Sequence, residues 1–330
     1  MGNSFGVKSC TLILMSFTLI LGVVSAAYAQ PAEVAKYPTR AVTFIDPITP
    51  GGPTDLAIRL IAKEAEKFLG QPVVVVNKTG GAGSIGIAAI AAAKPDGYTI
   101  GYAAHSGMYL IPLIEKVSYH PIKDFKQVMQ FAGLNFGVVI KGDSQFKTFQ
   151  DLITYARQNP KTLTCGTTGP NSMQYLIMEF IAKKENVQFT HISFKGNPEM
   201  QTALIGGHIL FGAGDFNYSL VEAGQIRPIL LLKEERTPEY PQVPVLKDLG
   251  YDIPAPMCLN VVVPKGVPDA IVTKLEDAFT KAMKQPAFVK GMKEDLRIPI
   301  VHRNSKEMTV YAASTFEIYS KLVKDLGLTK

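Results

Sequence analysis

The 330-residue chain reads as an α/β protein of two lobes with a cleft between them. Three observations predict this. Short apolar runs of strand type alternate with helix-type runs in two successive blocks, each pair separated by turn residues. A longer apolar stretch, Val128–Ile140 with Gly133 in its middle, reads as two strands or one kinked strand crossing between the blocks. At roughly 150 residues per domain the length suggests about two domains, and 47% hydrophobic residues are too many for a disordered chain.

Residues 1–29 stand apart as a secretory signal peptide. Lys8 precedes an uncharged apolar run from Cys10 to Val24, and small residues at Ala27 and Ala29 place the cut after Ala29. The run is short for a membrane span of about 20 residues. The exported chain keeps Cys165 and Cys258, which an oxidising compartment would allow to pair or which stay as buried thiols.

In the first block, Ala41–Ile45 is a strand, followed by a Pro/Gly turn through Pro53. Thr54 or Asp55 is expected to cap a helix that carries Leu56, Leu60, Ile61, Ala65 and Phe68 at helical spacing and stops at Gly70. Val73–Val76 reads as a buried strand, Ser84–Ala93 as a helix and Tyr98–Tyr102 as a strand. The alternation argues for a parallel sheet covered on both faces. The second block has helix Phe149–Arg157, strand Leu163–Cys165, helix Ser172–Lys184 and strand Gln188–Ile192. Helix Pro198–Ile205 and strands Ile209–Ala213 and Arg227–Leu232 complete it. A Pro-rich loop, 237–244, precedes strand Cys258–Val263, and helices Asp269–Lys284 and Lys306–Leu326 close the chain. The domains expected are 30–131, 132–255 and a return to the first lobe over 256–330.

Several chemistries are disfavoured. The +6 net charge falls to +5 without Lys8 and is evenly spread, with no basic run for nucleic acid. Gly81-Ala82-Gly83-Ser84-Ile85-Gly86 fits G-x-G-x-x-G, yet it starts late after its strand and lacks the acid expected at the next strand end. The cluster is better read as glycines that let a loop turn tightly and a helix begin close to the sheet. The five histidines are scattered, with no metal-binding spacing. G-x-S-x-G is absent, and Ser106 beside His105 does not make a triad. No cofactor, metal or catalytic residue is assigned.

What remains is a set of Gly/Thr/Ser-rich loops at strand ends, the edge at which open α/β sheets bind ligands. The first is Thr49-Pro50-Gly51-Gly52-Pro53-Thr54-Asp55. The helix start behind it offers N–H groups and a positive dipole end suited to a carboxylate or phosphate. The second is Ala103-Ala104-His105-Ser106-Gly107. The third is Thr167-Thr168-Gly169-Pro170-Asn171-Ser172, again ahead of a helix. The fourth holds Lys195 and Asn197. Asp215 either meets a ligand amine or hydroxyl or caps the following helix. Hinges are expected near Phe131–Gly133 and 254–257. Gly51→Val is expected to block binding by intruding on the ligand.

These residues resemble the Bug/TctC family, the extracytoplasmic receptors of tripartite tricarboxylate transporters. The matching pieces include Pro47-Ile48-Thr49-Pro50-Gly51-Gly52-Pro53-Thr54-Asp55, Asn77 with Gly80 through Gly86, and Pro95-Asp96-Gly97-Tyr98-Thr99. Phe194-Lys195-Gly196, Ala223-Gly224-Gln225-Ile226-Arg227 and Pro241-Gln242-Val243-Pro244 follow in order. The resemblance implies a periplasmic-binding-protein (Venus flytrap) fold and main-chain capture of a ligand carboxylate by Thr49–Thr54 and Ala104–Ser106. It implies selection by the loop from Thr167 to Gln174. Departures fall on the selective side: Asn197 replaces a usual small residue, His105 a usual Ser or Thr, and Gly214-Asp215-Phe216-Asn217 a usual Asp-Asn pair. The expected function is a periplasmic receptor that hands a small organic carboxylate to transporter membrane subunits. It binds no nucleic acid and the mature chain does not insert in the membrane. The alternatives are a secreted enzyme using Ser106 or His105, and a sensor feeding a signalling partner.

Overall fold

The computed structural model describes residues 36–233, 236–253 and 257–328. Residues 1–29 and 254–256, and with them the leader and most of the second hinge, lie outside the described residues. The body of the protein is Arg40–Lys330, and two sheets organise it.

The first sheet has six strands in the order β11-β4-β10-β3-β1-β2. They are β1 (Val42–Asp46), β2 (Val73–Asn77), β3 (Thr99–Gly101), β4 (Phe125–Ala132), β10 (Leu259–Pro264) and β11 (Ile300–Arg303). The second has five in the order β7-β6-β8-β5-β9. They are β5 (Phe136–Lys141), β6 (Thr164–Thr167), β7 (Thr190–Ser193), β8 (Phe211–Asp215) and β9 (Ile226–Leu231).

The sheets are mixed, which corrects the parallel expectation. β1 runs parallel to β2 and β3, and β6 parallel to β7 and β8. β10 is antiparallel to β3 and β4, and β5 antiparallel to β8 and β9. The reason is the crossing itself. β1, β3 and β4 end at the edge facing the other sheet, so β5, which continues from β4 after three residues, must enter its sheet from that edge. It therefore opposes β8, which ends there. β10 re-enters the first sheet in the same way. The ambiguous stretch around Gly133 resolves into two strands of different sheets.

Helix Pro53–Leu69 begins two or three residues earlier than predicted. Gly52 is the N-cap and Pro53 takes the first turn, where its missing N–H costs nothing. Gly70 ends the helix with φ 69°. Ala57, Ile58, Ile61, Ala62 and Ala65 bury its inner face, and the helix packs on helix Asp269–Ala282. The four-valine strand β2 is half exposed, not buried: Val74 and Val76 keep 49% and 37% of their surface. Among the described residues it pairs only with β1, at the sheet edge, and one row of its side chains lacks cover.

The glycine cluster does what its composition predicts. Gly80, Gly81 and Gly83 all have positive φ, and a Cβ on Gly86 would sit 2.7 Å from the Lys78 carbonyl and 2.9 Å from Pro47 Cα. Helix Ser84–Ala91 can therefore start directly against the first sheet. Helix Ser305–Asp325 returns to pack on β4. One apolar cluster reaches both sheets, with Met108, Tyr109, Phe149, Met173, Ile177 and Tyr319 among its members, and a separate one on the second sheet holds Val139, Met200, Leu204 and Phe216.

Candidate functional site

The carboxyl ends of β1, β2, β3, β6, β7 and β8 converge on a cavity of about 530 Å³. Its first-sheet wall begins with the turn after β1, which a polar cluster anchors from behind. Asp46, fully buried at the end of β1, accepts from the Ile48 amide (3.2 Å) and from Asn77 Nδ2 (3.1 Å). The same Asn77 amide group reaches the Ile48 carbonyl (3.1 Å) and Asp55 Oδ1 (2.9 Å). Asp55 Oδ2 accepts from the Gly51 amide (3.0 Å) and from Arg59 Nε (2.9 Å).

The two acids diverge in character. Burial pushes Asp46 up to about 8, so it is protonated near neutral pH. Burial also acts to raise Asp55, but Arg59, Asn77 and the Gly51 amide outweigh it and hold that carboxyl below its ordinary value. Asp55 thus works as a strut under the turn, not as a wall of the cavity.

The second wall element follows β3. His105 opens a π-helical turn, Ser106–Leu110, that presents Ala104, His105 and Ser106 to the cavity. Burial drives His105 down to about 3, so the ring is neutral. Its Nε2 lies 3.8 Å from Cys258 Sγ, and its Nδ1 has no hydrogen-bond partner among the described residues.

Four side chains tie the two walls together. Thr54 Oγ1 donates to Asp215 Oδ2 at 2.7 Å, and the Thr54 amide donates to the same oxygen at 3.3 Å. Thr49 Oγ1 donates to the Lys195 carbonyl at 3.1 Å. Ser106 Oγ accepts from the Met173 amide at 3.1 Å. Asn171 donates to Glu115 at the rim. The lobes are therefore in a closed arrangement. Burial pushes Asp215 up to about 7, with the Thr54 donors and the Phe216 amide pulling against it. Asp215 does not cap the next helix; Asn217 holds that position without a side-chain cap.

Of the residues singled out by sequence, twelve line the cavity: Thr49, Pro50, Gly52, Thr54, Ala104, His105, Ser106, Thr168, Gln174, Lys195, Asn197 and Asp215. Gln174 Nε2 donates to Thr168 Oγ1 at 2.5 Å, joining two of them. The others lie behind. Gly51, with φ 86°, and Pro53 shape the first turn. Thr167 Oγ1 accepts from the Gly169 amide, and Ser172 Oγ donates to the Gly169 carbonyl and caps helix Met173–Glu185. Gly169, Asn171 and Asp55 are likewise outside the wall. A Cβ on Gly51 would meet nothing within 4 Å, so Gly51→Val would act by backbone strain and not by filling the cavity.

Sequence reasoning missed the apolar wall, formed by Tyr102, Leu134, Phe136, Met173, Phe194 and Met257. It also missed that Gly80 to Gly83 face the cavity as well as turning the chain. Among the described residues no group of three or more His, Cys, Asp or Glu stands ready for a metal. Cys165 and Cys258 are free and buried.

A family model described as "Tripartite tricarboxylate transporter family receptor" matches residues 57–328. The chain belongs to this TctC family. It is 38% identical to the UPF0065 protein of the gbd 5′ region of Cupriavidus necator over 92% of this chain and 93% of that one. A solved periplasmic transporter superposes with a TM-score of 0.82 at 28% identity, over 89% of this chain and 99% of the other. The R. palustris protein Rpa4515, solved with adipate, gives 0.79 at 26% identity, again over 89% and 99%. The fold is the two-lobed architecture of periplasmic binding proteins, and the chain is a solute-binding receptor of TctC type. Among the described residues no helix is long and apolar enough to cross a membrane.

Proposed function

We propose that this TctC receptor captures a small organic carboxylate in the cleft and delivers it to the membrane subunits of a tripartite transporter. The observation that carries this is the convergence of strand-end loops on one cavity, at the start of a 17-residue helix whose N-cap, Gly52, has no side-chain cap. The adipate held by the Rpa4515 relative supports a carboxylate. In this reading the carboxylate lies against Gly52 and the Ala104–Ser106 turn, where main-chain groups and the helix dipole favour negative charge. Thr168, Gln174, Lys195, Asn197 and Asp215 close over it from the second sheet. Closure sequesters the ligand and forms the surface that the membrane partner reads.

The lobes proposed are 30–131 with 256–330, and 132–255, with hinges at the crossings near 131–133 and 254–257. We further propose export to the periplasm after cleavage behind Ala29, testable by the mass and first residue of the secreted chain. Turnover is not part of the reading. His105 Nε2 points to Cys258 and Ser106 Oγ to the Met173 amide, which leaves no His–Ser pair.

The test is a thermal-shift screen over mono-, di- and tricarboxylates, followed by calorimetry and recovery of the ligand. A ligand at 100 times its dissociation constant should add about 2.7 kcal/mol. Recovery of chemically unchanged ligand supports the receptor, and product formation supports the secreted enzyme. If no carboxylate shifts the melting temperature, the proposal fails.

A further inference from the structure

Two of the contacts that join the walls reach the second wall on separate elements. Asp215 is the last residue of β8, and Lys195 stands just before helix Asn197–Ile205. Their partners, Thr54 and Thr49, share one turn of the first wall. The second wall must therefore hold its two elements at a matching spacing. Regular structure alone does not do this. Phe216 and Asn217 lie outside helix and strand, and Gly196 caps its helix without a side-chain bond.

One side chain spans the gap. Gln201, on the second turn of helix Asn197–Ile205, is 1% exposed and stands behind the cavity wall. Its Nε2 donates to the Asp215 carbonyl and to the Asn197 carbonyl, both at 3.2 Å. Its Oε1 accepts from the Asn217 amide at 2.9 Å. These partners fix which way the amide faces. Turned over, it would set its oxygen against two carbonyls and an N–H against an N–H. The helix also lies directly on the strand, since a Cβ on Gly212 or Gly214 of β8 would collide with Met200 or Asn197. Close packing sets the depth of the helix on β8, and the three bonds of Gln201 set its position along it.

We propose that Gln201 is a positioning residue for closure. It braces the end of β8 against the start of helix Asn197–Ile205, and so sets Asp215 and Lys195 in the register at which they meet Thr54 and Thr49. The role rests on the receptor reading of the cleft, and the brace itself is tested without a ligand.

The experiment is a double-mutant cycle on the ligand-free mature protein. The coupling between Thr54→Val and Asp215→Ala is measured by urea unfolding in three backgrounds: wild type, Gln201→Met and Ile153→Val. Gln201→Met keeps the volume and removes all three bonds. Ile153 is a fully buried residue of helix Phe149–Gln158, in a different apolar cluster from Met200, so its variant loosens the core without touching the brace. The coupling should fall to roughly half or less in Gln201→Met and persist in Ile153→Val. In hydrogen exchange the Asn217 amide should exchange about tenfold faster in Gln201→Met than in the wild type. If Gln201→Met does not fold, Gln201→Glu takes its place. It keeps the acceptor for Asn217 and loses the donors, so the coupling should fall while Asn217 stays protected. Equal coupling with and without Gln201 overturns the inference, and so does an equal fall in Ile153→Val. Absence of coupling in the wild-type background, or an Asn217 amide unprotected there, also overturns it. Whether a carboxylate binds is decided separately by the thermal-shift screen, so the two readings fail independently.

Discussion

Gly196 offers a direct test of how the cleft closes. It precedes helix Asn197–Ile205 in extended backbone, with φ −171°, which alanine adopts freely. In the closed arrangement, however, a Cβ on Gly196 would lie 2.6 Å from Thr49 Oγ1 and 2.8 Å from Thr49 Cβ. Both Thr49 atoms sit on the opposite wall, and a β-branched side chain has little room to turn aside. Gly196→Ala therefore opposes closure without straining either lobe. Overpacking of this kind costs about 1–3 kcal/mol. Because the clash exists only when the walls meet, that cost falls on the closed state, and affinity should drop roughly 5- to 150-fold at 1.4 kcal/mol per factor of ten. Calorimetry on a ligand taken from the carboxylate screen reads the loss. Thermal melting without ligand should move little, since opening relieves the contact. The double variant Thr49→Gly with Gly196→Ala should recover much of the loss, as expected of two directly coupled positions. Unchanged affinity in Gly196→Ala would refute the reasoning, and so would a loss that the double variant fails to recover.

Other expectations concern the groups that support the site. Asn77→Ala removes donors to Asp46, Ile48 and Asp55 at once, and should destabilise the fold by about 1–3 kcal/mol in urea unfolding, with weaker binding. Asp46 and Asp215 have folded pKa values of about 8 and about 7, above the ordinary 3.8. The native state then holds protons that the unfolded chain has released, so their contribution is complete below 3.8 and is lost as pH rises through 7 and 8. Urea unfolding between pH 5 and 8 should show falling stability, and Asp215→Asn should flatten the slope below pH 7. A rise over that range would contradict the assignment. Cys165 and Cys258 are buried, and burial pushes the Cys258 thiol up to about 12. A thiol reagent should leave both untouched in the native mature protein and titrate two thiols after denaturation.

The elements were largely legible because period and turn chemistry are local. Helix Phe149–Gln158 starts at the predicted residue, with Thr148 and Asp151 forming a capping box, and Ser172 caps its helix as its residue type suggests. The failures share a non-local cause. Thr54 and Asp55 look like caps, but Thr54 is drawn to Asp215 from the far sheet and Asp55 to Arg59 and Gly51. Four valines in a row signal burial, yet exposure depends on strand order, which places β2 at an edge. β11 is four residues long with only Ile300 and Val301 apolar, too brief a pattern to register. In the site, polar loops at strand ends were visible as departures from core composition. Phe136, Leu134 and Met173 were not, because an apolar side chain facing a cavity has the same sequence signature as one facing the core.

The bonds between Thr54 and Asp215, and between Thr49 and Lys195, join the two walls without a ligand. Whatever part of closure a ligand leaves untouched is a common offset on all affinities. What distinguishes one ligand from another must come from the wall it touches. A contact off the wall, such as Asn171 with Glu115, should scale all affinities by one factor and preserve their ranking when changed, whereas changes at Asp215, Thr54, Phe136, Phe194 or Asn197, which line the cavity, should reorder it. A receptor built this way can be retuned to a new solute by changing the wall alone.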